Sequence, residues 1–206
     1  MLENKTNIII AGGGHAGIEA ALAIARMGGF CTIVTMDVLS VGRLSCNPAM
    51  GGLGKSHLVK EMDALGGAMG FVSDLSGIQF KILNKTKGRA VWANRAQLDK
   101  KTYPGYIGKI LNKNKQISIK QGEVVDFKTK GGVVVGAVLS DGSTLLCRSL
   151  IITCGTFLNG KIHIGNTHYS AGRMGEKPAK GLTEALQKKG FKIGRLKTGT
   201  PPRLDS

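Results

Sequence analysis

The chain has 206 residues, 42% hydrophobic and 20% charged, with a formal net charge of +16. A globular chain of this size removes about 70% of its unfolded surface from water, so the composition argues against wholly disordered, collagen-like and disulfide-framework proteins. No stretch approaches the roughly 20 apolar residues of a membrane span, and the N-terminus lacks the charged-then-apolar order of a signal peptide. Because no stretch is apolar enough, we expect no membrane partner. Because the four cysteines have no paired spacing, we expect a reducing compartment and hence a cytoplasmic protein.

The positive charge is concentrated in two segments. Residues 81–130 have 13 basic and 3 acidic side chains, a balance of +10, and residues 157–206 add +7. A basic surface attracts polyanions, which points to nucleic acid or phosphorylated ligands. No arginine cluster or aromatic platform accompanies the lysines, so solvated lysine-rich faces are an equal alternative.

The first 35 residues predict a β-α-β unit. The apolar run 7–11 is typical of a strand buried on both faces, residues 15–27 predict a helix that Gly28-Gly29 ends, and 30–35 predict a second buried strand. Two strands joined by one crossover helix imply a parallel sheet.

The rest of the chain predicts a mixture of helices and strands. We expect a glycine-rich loop at 40–56, helices at 55–65, 93–112 and 183–189, and strands at 117–128, 133–139, 144–147 and 149–153, with a turn at Asp141-Gly142. Pro104-Gly105 falls inside the second of these helices and should break or kink it. The fold class is therefore α/β.

The turn between the first strand and the first helix carries a dinucleotide fingerprint, G-x-G-x-x-G, formed by Gly12, Gly13, Gly14, His15, Ala16 and Gly17. The first glycine allows a tight turn, the second lets a pyrophosphate approach the backbone, and the third lets helix and strand pack closely. The pyrophosphate would lie at the helix N-terminus, where free N–H groups meet it. For His15 this favours a backbone role over proton transfer. Asp37 follows the second strand slightly late for a ribose contact, and a loop carboxylate is the favoured interpretation.

FAD and NAD share this fingerprint, and a later feature favours FAD. Flavoproteins of the two-dinucleotide-binding type insert a small antiparallel sheet before the last parallel strand of the first domain, and the segment at about 130–148 has that form. Val124 lies on a strand whose backbone is suited to reading an adenine edge. An ordinary NAD-dependent Rossmann dehydrogenase is disfavoured by the insertion.

Gly54-Lys55-Ser56 imitates the end of a P-loop. A P-loop requires glycine at the position of Ala49, and no strand is predicted immediately before the segment. We therefore exclude nucleoside triphosphate hydrolysis here and expect a loop able to wrap a flavin.

Several longer blocks make the sequence resemble the MnmG (GidA) family of tRNA-modifying flavoproteins. They are 12–17 with Glu19-Ala20-Ala21, 45–55, 63–67, 77–80, 95–97, 155–165 and 194–202. The resemblance covers nearly the whole chain. It implies a Rossmann-like FAD-binding domain, with residues 1–206 as its N-terminal part.

The resemblance also implies a function. Family members use FAD, NADH and methylene-tetrahydrofolate and act with the GTPase MnmE, as homodimers, to add a carboxymethylaminomethyl group to the wobble uridine of certain tRNAs. The family's flavin contacts correspond to residues 12–17, Val124 and Ala179, where a backbone contact alone is expected. Cys46 matches a catalytic cysteine of the family, although a small buried thiol is the alternative. The other cysteines are expected in the core.

The sequence also departs from the family. Arg89 stands where the family has proline, and the chain ends before the NADH-binding and C-terminal helical domains, so it resembles a truncated portion and is expected to be inactive alone. The alternative function is a non-catalytic remnant, at most an FAD- or RNA-binding module. His163 and His168 have no cysteines or carboxylates near them at metal-ligand spacing, so no metal site is predicted.

Overall fold

The computed structural model describes residues 8–44 and 47–199. The helices are α1 (His15–Arg26), α2 (Lys55–Ala64), α3 (Met69–Ser76), α4 (Thr102–Lys113) and α5 (Leu182–Lys188). The strands are β1 (Ile8–Ala11), β2 (Cys31–Thr35), β3 (Ala49–Gly51), β4 (Gly77–Leu83), β5 (Ala93–Leu98), β6 (Ile117–Gln121), β7 (Val124–Lys130), β8 (Val133–Leu139), β9 (Thr144–Leu146), β10 (Ser149–Ile152), β11 (Lys161–Ile164) and β12 (Thr167–Ser170). Within these ranges no helix is both long enough and apolar enough to cross a membrane.

A four-stranded parallel sheet in the order β10-β1-β2-β6 organises the fold. The predicted β-α-β unit is confirmed as β1, α1 and β2, and the predicted strand 149–153 becomes β10 beside β1. Alternate residues of β1 face opposite sides of this sheet. Ile10 packs toward α1, whereas Ile9 and Ala11 face the antiparallel sheet formed by β7, β8 and β9. The α/β fold class is thus confirmed.

The second sheet is antiparallel and has the order β7-β8-β9. The expectation of one strand over 117–128 was wrong, because the segment divides into β6 in the parallel sheet and β7 in this one. Gly122 marks the division: its N–H donates to Thr35 O at 2.8 Å, which is the last ladder contact before the chain turns away. Both sheets and α5 enclose one apolar cluster that includes Val34, Phe127 and Leu182.

The predicted helix over 93–112 was also wrong. Residues 93–98 form β5, the central strand of a third sheet in the order β3-β5-β4, and α4 begins only at Thr102. Pro104 does not break α4, because it lies in the first turn, where its missing N–H has no intrahelical acceptor. Helix α3, strand β4 and the β11-β12 hairpin were not predicted.

The P-loop imitation proves to start α2. Gly54 is its N-cap with φ +75°, a conformation that favours glycine. A short strand, β3, does precede the segment, contrary to expectation, but it pairs antiparallel with β5 and lies outside the parallel sheet. The structure therefore lacks the parallel strand–loop–helix arrangement of a P-loop here.

Candidate nucleotide-binding site

The glycine turn lies where the carboxyl ends of β1, β2 and β10 meet. Gly12 N–H donates to Val34 O at 2.8 Å, and Thr153 N–H donates to Ala11 O at 2.8 Å. Thr153 Oγ1 lies 3.0 Å from Ala11 O and 3.2 Å from Gly12 O, so its hydroxyl secures the turn from just beyond the end of β10. Ligands of open α/β sheets bind at this edge.

Two of the glycines are required by packing. Gly12 has φ +116°, and a Cβ there would lie 2.5 Å from Thr153 O. A Cβ on Gly17 would run into Gly12 O and lie 2.9 Å from Thr153 Oγ1. These contacts agree with the roles predicted for the first and third glycines, tight turning and close helix–strand packing.

Gly14 differs from its neighbours because it is exposed and open. A Cβ built there meets no atom of the described residues within 4 Å, and the φ of −79° and ψ of −176° of Gly14 are available to any residue. The first intrahelical bond of α1 runs from Ile18 N–H to Gly14 O at 3.0 Å, so the N–H groups of His15, Ala16 and Gly17 precede it without intrahelical acceptors. Within residues 8–44 and 47–199 no side chain caps this end of α1, and the first turn of the helix has no acidic residue. The arrangement leaves room and donors for an anion at Gly14.

Gly13 lies deeper in the turn. A Cβ there would lie 3.0 Å from Val41 Cγ2 and 3.3 Å from the Thr35 Cβ. Its carbonyl accepts from Gly42 N–H at 3.1 Å, which ties the turn to the loop after β2. Gly13 thus holds the loop and the turn together.

His15 opens α1 and is held neutral. Its ring packs edge-on to Tyr103 with centroids 5.5 Å apart, and its buried Nδ1 has no hydrogen-bond partner among the described residues. Burial, followed by the positive charges of Lys55 and Arg173, lowers the pKa of His15 to about 4. The sequence singled out Lys55 only as part of a P-loop-like segment and did not single out Arg173, and the effect of both on His15 indicates a positive potential at the helix N-terminus.

Asp37 is occupied by the loop that carries it. Its Oδ1 accepts from Leu39 N–H at 2.9 Å, and its Oδ2 lies 3.3 Å from Arg43 Nη2. Arg43 also contacts Glu176 Oε1 at 2.8 Å, tying the loop after β2 to the segment before α5. These contacts are those of a loop carboxylate, the favoured interpretation.

Val124 begins β7, whereas Ala179 lies in the segment before α5 and forms an isolated bridge with Leu158. Val124 is buried at the start of β7, two residues beyond Gly122, and shares an apolar cluster with Val34. Ala179 is buried as well, and its N–H donates to Phe157 O at 2.9 Å while its carbonyl accepts from Asn159 N–H at 2.8 Å. Both backbone groups of Ala179 are therefore engaged within the chain.

Three of the four cysteines lie within the described residues. Cys46 lies outside the described residues. Cys31, Cys147 and Cys154 are free thiols, and burial raises the pKa of Cys31 and of Cys154 to about 11. Cys31 and Cys147 are buried, as predicted for core positions.

A cavity of about 710 Å³ lies apart from the glycine turn, between α2, α3 and the β3-β5-β4 sheet. Its wall carries the cations Lys60, Lys81, Lys85 and Arg95 together with Asp63 and Asp74. The basic segment 81–130 therefore contributes three cations to one concave surface.

Comparison with known proteins identifies the family of this chain. The family model described as glucose inhibited division protein A, GidA, matches residues 7–206. The chain belongs to the GidA family. A relative from Thermodesulfovibrio yellowstonii, named tRNA uridine 5-carboxymethylaminomethyl modification enzyme MnmG, is 51% identical over 204 residues, 99% of this chain and 33% of the relative. One from Protochlamydia amoebophila with the same name is 47% identical over 201 residues, 98% of this chain and 32% of the relative.

A solved GidA structure shares the fold. The structure of Aquifex aeolicus GidA superimposes with a TM-score of 0.90 at 45% identity, covering 98% of this chain and 33% of that one. The chain thus spans about a third of the length of these GidA relatives. The resemblance predicted from the sequence blocks is confirmed.

Proposed function

We propose that the glycine turn binds the pyrophosphate of FAD and that residues 1–206 form the N-terminal part of an FAD-binding domain. The observation that carries the proposal is the contrast between Gly14, open and in front of unpaired N–H groups, and Gly12 and Gly17, which are closed by packing. The site fits a pyrophosphate, because a helix N-terminus offers both donors and a favourable dipole. Lys55 and Arg173 add positive charge.

FAD is favoured over NAD by the β7-β8-β9 sheet, which precedes the last parallel strand, β10, as in two-dinucleotide-binding flavoproteins. Val124, at the start of that sheet, is the proposed adenine-side residue. Ala179 retains less freedom for a ligand than expected, because both of its backbone groups are engaged. The flavin would supply the redox chemistry, and these residues would hold and orient it.

The proposed reaction is carboxymethylaminomethyl modification of a tRNA uridine, as the names of the relatives state for them, and by resemblance to the family the uridine is the wobble one. By resemblance, NADH and methylene-tetrahydrofolate are the proposed co-substrates, an MnmE-like GTPase the proposed partner and a homodimer the proposed assembly. Cys46 is the proposed catalytic cysteine. The exposed lysines of 81–130 suit a tRNA surface, and the free thiols suit the cytoplasm.

The first test is ligand choice. The purified chain is titrated with FAD and, separately, with NAD⁺, and its visible spectrum is recorded. We expect flavin absorbance in the purified protein and FAD affinity well above NAD⁺ affinity. A chain with neither flavin absorbance nor FAD affinity would contradict the proposal.

The second test concerns turnover. Reaction requires flavin, NADH, folate carbon and uridine in register, and misplacement by about 1 Å can cost about 100-fold in rate. The chain spans about a third of the length of these relatives. We therefore propose that these 206 residues alone bind FAD but do not hold all four reactants in place, and so do not complete the reaction. The chain is supplied with MnmE, both co-substrates and unmodified tRNA, and the wobble nucleoside is analysed by mass spectrometry. Unmodified uridine is expected; modified uridine that disappears in Cys46→Ser would overturn this part.

A further inference from the structure

Two histidines face each other across the β11-β12 hairpin. The strands pair antiparallel, with His163 opposite His168, and Gly165 at φ +55° turns the chain between them. The two Nδ1 atoms are 2.9 Å apart, the ring centroids are 4.5 Å apart and the ring planes meet at 61°. Both side chains are exposed. The pair is therefore close, accessible and held by four consecutive cross-strand residue pairs.

The separation of the two nitrogens is that of neighbouring ligands on one metal ion. With metal–nitrogen bonds of about 2.05 Å, two ligands at 90° lie about 2.9 Å apart and two at the tetrahedral angle about 3.3 Å apart. The observed Nδ1–Nδ1 distance of 2.9 Å is the one expected for two ligands at 90°, the angle between neighbouring ligands in tetragonal and octahedral coordination. We propose that His163 Nδ1 and His168 Nδ1 form a chelating site for a divalent ion of that preference, Ni²⁺ or Cu²⁺.

The site is open. Among residues 8–44 and 47–199 no group of three or more histidine, cysteine or carboxylate side chains could hold a metal ion, so the remaining coordination positions fall to water or an added ligand. Chelation requires both rings to carry their proton on Nε2, because each Nδ1 must then offer its lone pair to the ion. The strand pairing sets the distance before the ion arrives, so the second ligand acts at a high effective concentration. The sequence predicted no metal site because it did not reveal this pairing.

The competing explanation of the short distance is an N–H···N hydrogen bond between the two neutral rings, which requires no ion. Calorimetric titration with Ni²⁺ separates the two explanations, because only the chelating site binds the ion. Ni²⁺ is used rather than Cu²⁺ because it does not oxidise the free thiols. We expect one Ni²⁺ per chain, bound by wild type and by the control His57→Gln, which changes an exposed histidine on α2. His163→Gln and His168→Gln should each weaken binding by about tenfold or more, because each loses the chelate. Zn²⁺ should bind more weakly than Ni²⁺, as a tetrahedral ion fits the spacing less well.

A second measurement needs no variant. In the proton NMR spectrum of the wild-type chain, Ni²⁺ should broaden the ring resonances of His163 and His168 together before those of His57. Single variants that bind Ni²⁺ as tightly as wild type, or broadening of His57 first, would overturn the site. Retention of wild-type Ni²⁺ affinity in the double variant would do so as well.

Discussion

Replacing Gly14 with valine separates ligand binding from folding. A Cβ at Gly14 meets no atom within 4 Å in the part of the chain that the structure describes, and the backbone conformation is open to valine, so the fold should tolerate the change. The new side chain would stand in front of the first turn of α1, where the pyrophosphate is proposed to lie. FAD binding should therefore fail while the chain remains folded.

The size of the loss follows from the hydrogen bonds at risk. Blocking two charge-assisted bonds from backbone N–H groups, at about 1.5 kcal/mol each, weakens FAD binding by about 100-fold or more. Fluorescence titration with FAD gives the affinity, and urea unfolding of the apo-protein gives the stability. The free energy of unfolding should change by less than about 0.5 kcal/mol, as is usual at exposed sites.

Two glycines supply the controls. Gly105 lies exposed in α4, and a Cβ there also meets nothing within 4 Å, so Gly105→Val should leave both FAD affinity and folding near wild type. Gly17→Val should fail to fold, because its Cβ would collide with Gly12 O. Wild-type FAD affinity in Gly14→Val would refute the proposed position of the pyrophosphate. An equal loss in Gly105→Val would show that the effect is not local.

Three further predictions concern buried groups. Glu19→Ala should lower the free energy of unfolding by about 3 kcal/mol, because the carboxylate accepts from two backbone N–H groups at the start of α3, and urea unfolding should show almost no change for the exposed control Glu61→Ala. Folding lowers the pKa of His15 from 6.5 to about 4, so between these pH values the unfolded chain binds a proton that the folded chain does not bind. The free energy of unfolding should therefore fall by up to about 3 kcal/mol as the pH drops from 6.5 to 4. His15→Gln should flatten that part of the pH profile, and an unchanged profile would contradict the assignment. With its pKa near 11, Cys154 should resist iodoacetamide at pH 8 in the folded chain and react readily in urea, as read by mass spectrometry of its peptide; equal rates would refute the shift.

The β-α-β unit was predictable because its signals are local. A continuous apolar run, a glycine turn and a glycine helix end each lie within a few residues of the element they define, and β1, α1 and β2 appear within about two residues of the predicted bounds. The hairpin of β8 and β9 was predictable for the same reason, since Asp141-Gly142 marks its turn.

The segment 93–112 could not be assigned from local signals. Its strand, β5, is fixed by pairing with β3, which lies far away in sequence, and with β4, which was not predicted either. Several residues of β5 also favour helices. Pro104 was then assigned to the interior of one long helix, although it belongs to the first turn of a shorter one. The wrong start of the predicted helix, at residue 93 instead of Thr102, thus led to the wrong expectation that Pro104 breaks or kinks it.

The candidate site shows the same division between local and distant contributions. The order of glycines located the turn, yet what keeps the turn in place is Thr153, which lies just after β10, 142 residues later, and contacts Ala11 O. Similarly, the sequence places Glu19 within the predicted helix 15–27 without indicating a partner, whereas its carboxylate accepts from the Ala68 and Met69 N–H groups at the start of α3, about 50 residues later. Both side chains satisfy backbone groups at the end of another element, and such partners become visible only when the sheet order is known. A local motif can therefore indicate where a ligand binds, but the residues that hold the motif rigid follow from the topology.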